Sequence, residues 1–329
     1  MAPAAILRHA VPLVSDVETQ YMGSRDGQAL EATSDNIDCV NVLKGTMVLK
    51  SNQEESEEVD CPIQPNPPKS KSQFRQYTTA TIRVQTFYTL QHTNQTVAYN
   101  LHIRSLFKTT TRAHLTIWEA ILKLNTLIDD SDPDTSLSQI DHLLQSAEAI
   151  RRAGKPRWMQ LVGLIHDLGK LFYFFGAQGQ WDVVGDTFPV GCAFSPSIIL
   201  PESFALNPDF QDPVYSTEYG IYSPGCGLEN VMLSWGHDEY LHHVIEGQSS
   251  LPREALAMIR YHSFYAWHRE GAYMWVMGEG DEGLLEAVRE FNPFDLYSKA
   301  DEVVRLEEVE GYYRELVDEF FGVGKKLSW

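Results

Sequence analysis

Cysteine is scarce in this chain: four residues in 329, Cys39, Cys61, Cys192 and Cys226, none of them in a CxxC pair. That excludes a thiolate-rich zinc module and argues against a disulfide scaffold, so a reduced, intracellular protein is expected. Positive charge is also short. The 26 Lys and Arg against 45 Asp and Glu leave a net charge of −19, which excludes broad electrostatic binding to nucleic acid or to an anionic membrane. No apolar run reaches membrane-spanning length. The apolar stretch Ala4-Ala-Ile-Leu7 is too short for a secretory signal, with Asp16 and Glu18 soon after it. No internal repeat is visible. These absences together predict a cytoplasmic protein, monomeric by default, with neither nucleic acid nor membrane as a partner.

What is present is ample apolar material, 43% hydrophobic with 11% aromatic, enough for a well-buried core. Its distribution is uneven. Residues 1–72 hold an acidic patch (Glu54, Glu55, Glu57, Glu58, Asp60) and then Pro62, Pro65, Pro67 and Pro68, with one short apolar patch over Val40–Leu49. Such a composition reads as a disordered or loosely attached extension. Residues 73–329 read as a single helical domain. Helices are predicted over Ile82–Phe107, from the capping-box signature Thr116-Ile-Trp-Glu119 through Ile128, over Ser138–Ala153, and over Trp158–Phe175. Residues 176–226, rich in Gly, Pro and aromatics, read as a long functional loop able to close over a site. Helices resume over Leu228–Gly247, Pro252 to about Glu270, Leu284–Tyr297 and Arg305–Phe321. The sequon Asn94-Gln95-Thr96 falls inside a helical pattern and is read as accidental.

The chemistry-bearing residues are spread across these helices. His166-Asp167-Leu-Gly-Lys170 is the centre of the pattern, with His142 upstream and His237-Asp238, His262 and Asp295 downstream. An imidazole binds one ion, and a neighbouring carboxylate has two oxygens with which to bridge that ion to a second. A lone His-Asp is more often a buried, carbonyl-bonded His beside a chance Asp. Here the company of ligand types on separate helices points to a two-metal centre within a bundle. Lys170 lies on the same helical face as His166. Asp238 reads as a partner for the outer nitrogen of a metal-bound imidazole, and His268 as packing or a similar support. His242 and His243 read as facing solvent or the core edge, and His9, His92, His102 and His114 have no ligand-rich neighbours. Nitrogen and oxygen ligands without thiolate suit iron, manganese or zinc, so ligand types alone leave both hydrolysis and oxygen chemistry open.

The ligand order His…His-Asp…Asp resembles the HD-domain superfamily. Longer words sharpen the likeness: Leu161-Val-Gly-Leu-Ile-His-Asp-Leu-Gly-Lys170, Val184-Gly-Asp-Thr-Phe-Pro-Val-Gly-Cys192, Ser234-Trp-Gly-His-Asp-Glu-Tyr240, His262-Ser-Phe-Tyr-Ala-Trp-His268, Glu290-Phe-Asn-Pro-Phe-Asp-Leu-Tyr297 and the closing Leu327-Ser-Trp329. From about residue 73 onward the chain resembles the myo-inositol oxygenase family. The resemblance implies an all-α, HD-domain-like bundle around a dinuclear centre. It implies two irons, mixed-valent Fe(II)/Fe(III), with O2 as co-substrate and cleavage of the myo-inositol ring to D-glucuronate. It makes His142, His166, Asp167, His237, His262 and Asp295 the iron ligands, with Asp167 bridging. Arg75, Asp129, Lys170, Gly185, Asp186 and Ser263 match substrate-contacting positions, as does Lys299, and Lys170 with Asp167 carries the catalytic expectation. The departures are an added residue in Phe175–Gln180, a poor match over Ala266–Leu284, and the N-terminal extension. The alternative is a metal-dependent phosphohydrolase of the same superfamily, which needs cations to clamp phosphate; only Lys170, Lys299 and Arg75 are at hand.

Overall fold

The computed structural model describes residues 82–128, 138–297 and 304–329. All belong to one of the two units into which the chain divides, Pro67–Trp329; the other, Met1–Asn66, lies outside the described residues. So do the extension over residues 1–72 and three residues matched to substrate contacts, Arg75, Asp129 and Lys299.

The described part is helical, as the apolar periodicity requires. In chain order it runs α1 (Ile82–Asn94), α2 (Val97–Thr109), β1 (His114–Leu115), α3 (Ile117–Leu124), α4 (Gln139–Arg152) and α5 (Arg157–Ile165). After a 3-10 segment over Leu168–Phe175 come α6 (His237–Ile245), α7 (Arg253–Tyr261), α8 (Tyr265–His268), α9 (Asp281–Tyr297), α10 (Leu306–Phe321) and β2 (Leu327–Ser328). The two short strands pair antiparallel, Leu115 opposite Leu327. No described helix is long and apolar enough to cross a membrane.

Local chemistry sets several of these boundaries. Thr116 and Glu119 form both halves of the expected capping box, Glu119 N–H donating to Thr116 Oγ1 at 3.1 Å and Thr116 N–H to Glu119 Oε2 at 2.8 Å. Ser138 caps α4 by accepting from the Asp141 N–H, and Gly154 closes it with φ at +68°.

Four expected helices are broken. Ile82–Phe107 divides at Gln95-Thr96, because Thr96 caps α2 and the buried Gln95 side chain leaves the helix to bond Trp235, accepting from its N–H at 3.0 Å and donating to its carbonyl at 2.6 Å. The Asn94–Thr96 sequon therefore spans a helix junction rather than a helix interior. Trp158–Phe175 changes from α to 3-10 at His166-Asp167; Leu228–Gly247 begins as a 3-10 turn, Leu228–Asn230, and is α-helical only from His237; and Pro252–Glu270 stops at His262 before α8. The last three breaks fall on residues of the candidate centre.

The core lies around α4, α5, the 3-10 segment and α6, with Leu143, Leu144, Leu164, Ile165, Leu168, Phe172 and Leu241 all buried. α4 and α5 approach closely: a Cβ on Gly163 would lie 2.9 Å from the Ala147 backbone, so only glycine allows the contact that brings His142 beside His166. A second cluster forms from Phe188, Val190, Phe204, Leu233, Phe264 and Trp267. The loop expected to close over a site is in its first part a fixed wall: Val183, Phe188 and Val190 are fully buried, and Val190 and Ser234 exchange backbone bonds with Met232 and Phe188.

Candidate metal centre

Six of the side chains singled out in the sequence converge. His142 projects from the first turns of α4, His166 caps the end of α5, Asp167 follows it, His237 opens α6, His262 caps the end of α7, and Asp295 lies in the last turn of α9. Ligands at helix ends are held on backbone whose direction is changing, so residues from five elements can face one point.

The rings are aimed by their outer nitrogens. Nδ1 of His166 lies 3.0 Å from the Gly163 carbonyl, Nδ1 of His237 2.9 Å from that of Val183, and Nδ1 of His262 2.9 Å from that of Ile259. Each carbonyl fixes the proton on Nδ1, which turns the Nε2 lone pair inward. Asp238, expected from the sequence in this supporting role, does not fill it: backbone carbonyls take it. Asp238 instead faces the inner side, with Oδ1 2.8 Å from Nε2 of His237 and 3.4 Å from Nε2 of His262, while it accepts from Ser263 N–H at 3.1 Å and Ser263 Oγ at 3.2 Å. His268 supports from behind, its Nε2 donating to the His262 carbonyl at 3.0 Å.

Asp167 divides its two oxygens between two groups. Oδ1 lies 3.4 Å from Nε2 of His237 and 3.7 Å from that of His262; Oδ2 lies 3.6 Å from Nε2 of His142 and 3.7 Å from that of His166. Asp295 Oδ1 completes the second group at 3.1 Å from His142 and 3.3 Å from His166. Two sets of ligand atoms therefore share Asp167; those of His142, His166 and Asp167, and those of Asp167, His237 and His262, each lie within 4.8 Å of one another. Lys170 places its ammonium 2.8 Å from Asp167 Oδ2.

The site fits a metal on its own evidence. Nε2 of His166 is fully buried and makes no hydrogen bond, a state that costs free energy unless something else satisfies the lone pair. Nε2 of His237 and of His262 face each other at 3.2 Å, where two lone pairs repel unless a cation or proton intervenes. Asp167, Asp238 and Asp295 are all buried, and among the described residues the Lys170 ammonium lies against Asp167, leaving negative charge that cations offset. Burial alone would raise the Asp167 carboxyl, but the Lys170 ammonium and the His166 imidazole hold it well below the usual carboxylate range. Asp295 is likewise held low against its burial by His142 and His166. Burial opposes charge on His262, yet Asp238, Asp167 and Asp295 push it up to about 9.

The metal-free centre therefore holds a proton at His262 near neutral pH that an incoming ion must displace. Calorimetric titration of the metal-free protein with Fe(II) in buffers of differing ionisation enthalpy is expected to show net proton release at pH 7 and weaker binding as pH falls. Binding with no proton release would contradict this.

The matched substrate positions among the described residues sit close by. Thr187 N–H donates to the Ser263 carbonyl at 3.0 Å, tying the Gly185–Thr187 turn to Ser263. Gly185 has φ at +89°, and a Cβ there would lie 2.7 Å from the Phe87 ring, so the turn requires glycine. Asp186 is buried and accepts from the Tyr88 hydroxyl at 3.3 Å. Gly169 was missed as a site residue: its Cβ would lie 1.9 Å from the His237 carbonyl oxygen, and the word His-Asp-Leu-Gly carried the signal.

The family model described as myo-inositol oxygenase matches residues 81–329. Inositol oxygenase of Rattus norvegicus is 46% identical over 273 residues, 81% of this chain and 94% of that protein. The probable inositol oxygenase of Oryza sativa subsp. japonica is 46% identical over 263 residues, 78% of this chain and 85% of its own. Inositol oxygenase 5 of Arabidopsis thaliana is 48% identical over 265 residues, covering 78% and 84%. A match that spans the whole described fold and nearly all of its relatives' length places this chain in the myo-inositol oxygenase family.

Proposed function

We propose that this chain is an inositol oxygenase that uses a mixed-valent pair of irons and O2 to cleave the ring of myo-inositol, giving D-glucuronate and water. In this reading His142, His166 and Asp295 hold one iron, His237 and His262 the other, and Asp167 bridges them. The observation that carries it is the division of the Asp167 oxygens between two imidazole groups with Lys170 alongside. Bound there, the irons would supply Lewis acidity toward a substrate hydroxyl and a redox path by which the substrate's own electrons reach O2.

The protein groups have definable tasks. A neutral polyol is recognised by donors and acceptors held in place rather than by net charge. Ser263, the Gly185-Asp186 backbone and Lys170 supply them, together with Arg75, Asp129 and Lys299. The Lys170 ammonium stabilises negative charge on a substrate hydroxyl as its proton leaves. The buried wall of residues 183–190 keeps bulk water from the centre. We assign catalysis to residues 73–329, and place the protein in the cytoplasm as a monomer without nucleic acid or membrane partners.

Iron-loaded, partly oxidised protein is expected to consume O2 only when given myo-inositol, with glucuronate formed in step. Hydrolysis of phosphate esters without O2 uptake would replace this reading with that of a phosphohydrolase. Lys170→Ala is expected to keep its iron while kcat falls by about 10²–10³, the usual effect of removing one group that stabilises developing charge. Loss of both irons in that variant would show that Lys170 serves the metal and not the substrate.

A further inference from the structure

The far end of α6 carries a second set of metal-ligand side chains. One ligand atom from each of His242, His243 and Glu246 lies within 4.8 Å of the other two. The set lies five to nine residues along the helix from His237, about 7–13 Å of helical rise from that ligand of the central set. We propose that His242, His243 and Glu246 form a surface site for one divalent ion of the zinc and copper class, independent of the central pair.

The arrangement makes poor sense without a cation. Glu246 is the C-cap of α6, where the helix dipole opposes a negative charge. Its carboxylate lies 3.8 Å from Nε2 of His242. Burial, with Arg260 nearby, pushes the His242 ring down to about 3, and burial lowers His243 as well. Both rings are thus neutral at pH 7 and ready to ligate without losing a proton. His243 is held by the Phe107 and Trp235 rings, at centroid distances of 5.6 and 6.1 Å, so little ordering remains to be done on binding. Glu239 stands 3.9 Å from His243 Nε2, yet it is taken up by Arg104 and Arg260 and is a wall of the site rather than a ligand.

Ligand atoms on one tetrahedral ion lie about 3.4 Å apart, so the 3.8 Å His242–Glu246 spacing has to close by only a few tenths of an ångström. Two imidazoles and a carboxylate suit zinc or copper and leave a position for water. Nδ1 of His242 is buried without a hydrogen-bond partner. Metal on Nε2 leaves the ring proton there unsatisfied, which keeps the affinity moderate.

The test uses the full, iron-loaded chain. Titration with Zn(II) is expected to show one equivalent beyond the irons and a rise in melting temperature, and Cu(II) bound instead is expected to give a spin-resonance signal with two nitrogens. Glu246→Gln, at an exposed position, should weaken binding at least about tenfold, or 1.4 kcal/mol, and remove the thermal shift. His243→Gln should lose the nitrogen signature. Iron content and inositol-dependent O2 uptake without added zinc or copper stay at the wild-type level in Glu246→Gln. Equal binding in wild type and Glu246→Gln, or zinc uptake matched by iron release, would overturn the proposal.

Discussion

Gly169→Ala is expected to abolish turnover and to empty the half of the centre held by His237 and His262. The ideal Cβ falls 1.9 Å from the His237 carbonyl oxygen and 2.6 Å from its carbon. Both are backbone atoms, so no rotamer change relieves the overlap. The Leu168–Phe175 segment and the start of α6 must part by about 1.5 Å to reach ordinary contact distance, and a misplacement of about 1 Å near the reacting groups is enough to cost about 10² in rate. Overpacking adds a loss of stability of about 1–3 kcal/mol. Iron analysis should show one ion retained on the His142, His166 and Asp295 side. Gly283→Ala is the control: nothing lies within 4 Å of its Cβ, on the same helix that carries Asp295. It should be neutral or stabilising by about 0.5–1 kcal/mol. Equal activity in the two variants would refute the close-approach argument.

Glu239→Gln is expected to lower stability by about 3–5 kcal/mol, although it alters none of the candidate metal ligands. Glu239 is fully buried between Arg104, 2.7 Å away, and Arg260, and removing one partner strands the buried charge of the other. Arg104 also donates to the Leu233 carbonyl at 2.7 Å, so the pair anchors the strand of chain that leads into His237. Burial would raise the Glu239 carboxyl above its ordinary 4.5, but the two guanidiniums hold it well below. A depressed carboxyl contributes stability that is complete above its unfolded value and lost as pH falls. The gap between wild type and variant in denaturant unfolding should therefore be full at pH 7 and shrink below about 4.5. A gap independent of pH would show that the loss comes from packing instead of charge.

Much of this architecture is legible in the sequence, and the reasons it is incomplete are physical. Helices with strong caps are readable: the Thr116–Glu119 box and the Ser138 to Gly154 span match the structure to within a few residues. The breaks at His166-Asp167 and His262 are not, because the apolar pattern runs straight through them. Leu168, Leu171 and Phe172 are buried in a 3-10 segment as they would be in an α-helix. At Gln95 the break follows from a buried amide that bonds the Trp235 backbone 140 residues away, a long-range contact that no local pattern signals.

The centre divides in the same way. Residue types and order pointed to His142, His166, Asp167, His237, His262 and Asp295, and the structure brings them together. What holds the rings is backbone carbonyl oxygen from Gly163, Val183 and Ile259, which every residue carries and which sequence cannot single out. Asp238 was visible, but whether it supports a ring from behind or faces the centre depends on how α6 opens, and that was read as the middle of a longer helix.

The most direct test of a shared carboxylate between two ions is anomalous diffraction at the iron edge from crystals of the iron-loaded protein. Two peaks are expected, one among His142, His166 and Asp295 and one beside His237 and His262, each with its own oxygen of Asp167. A single peak, or two peaks with Asp167 touching only one, would contradict the account.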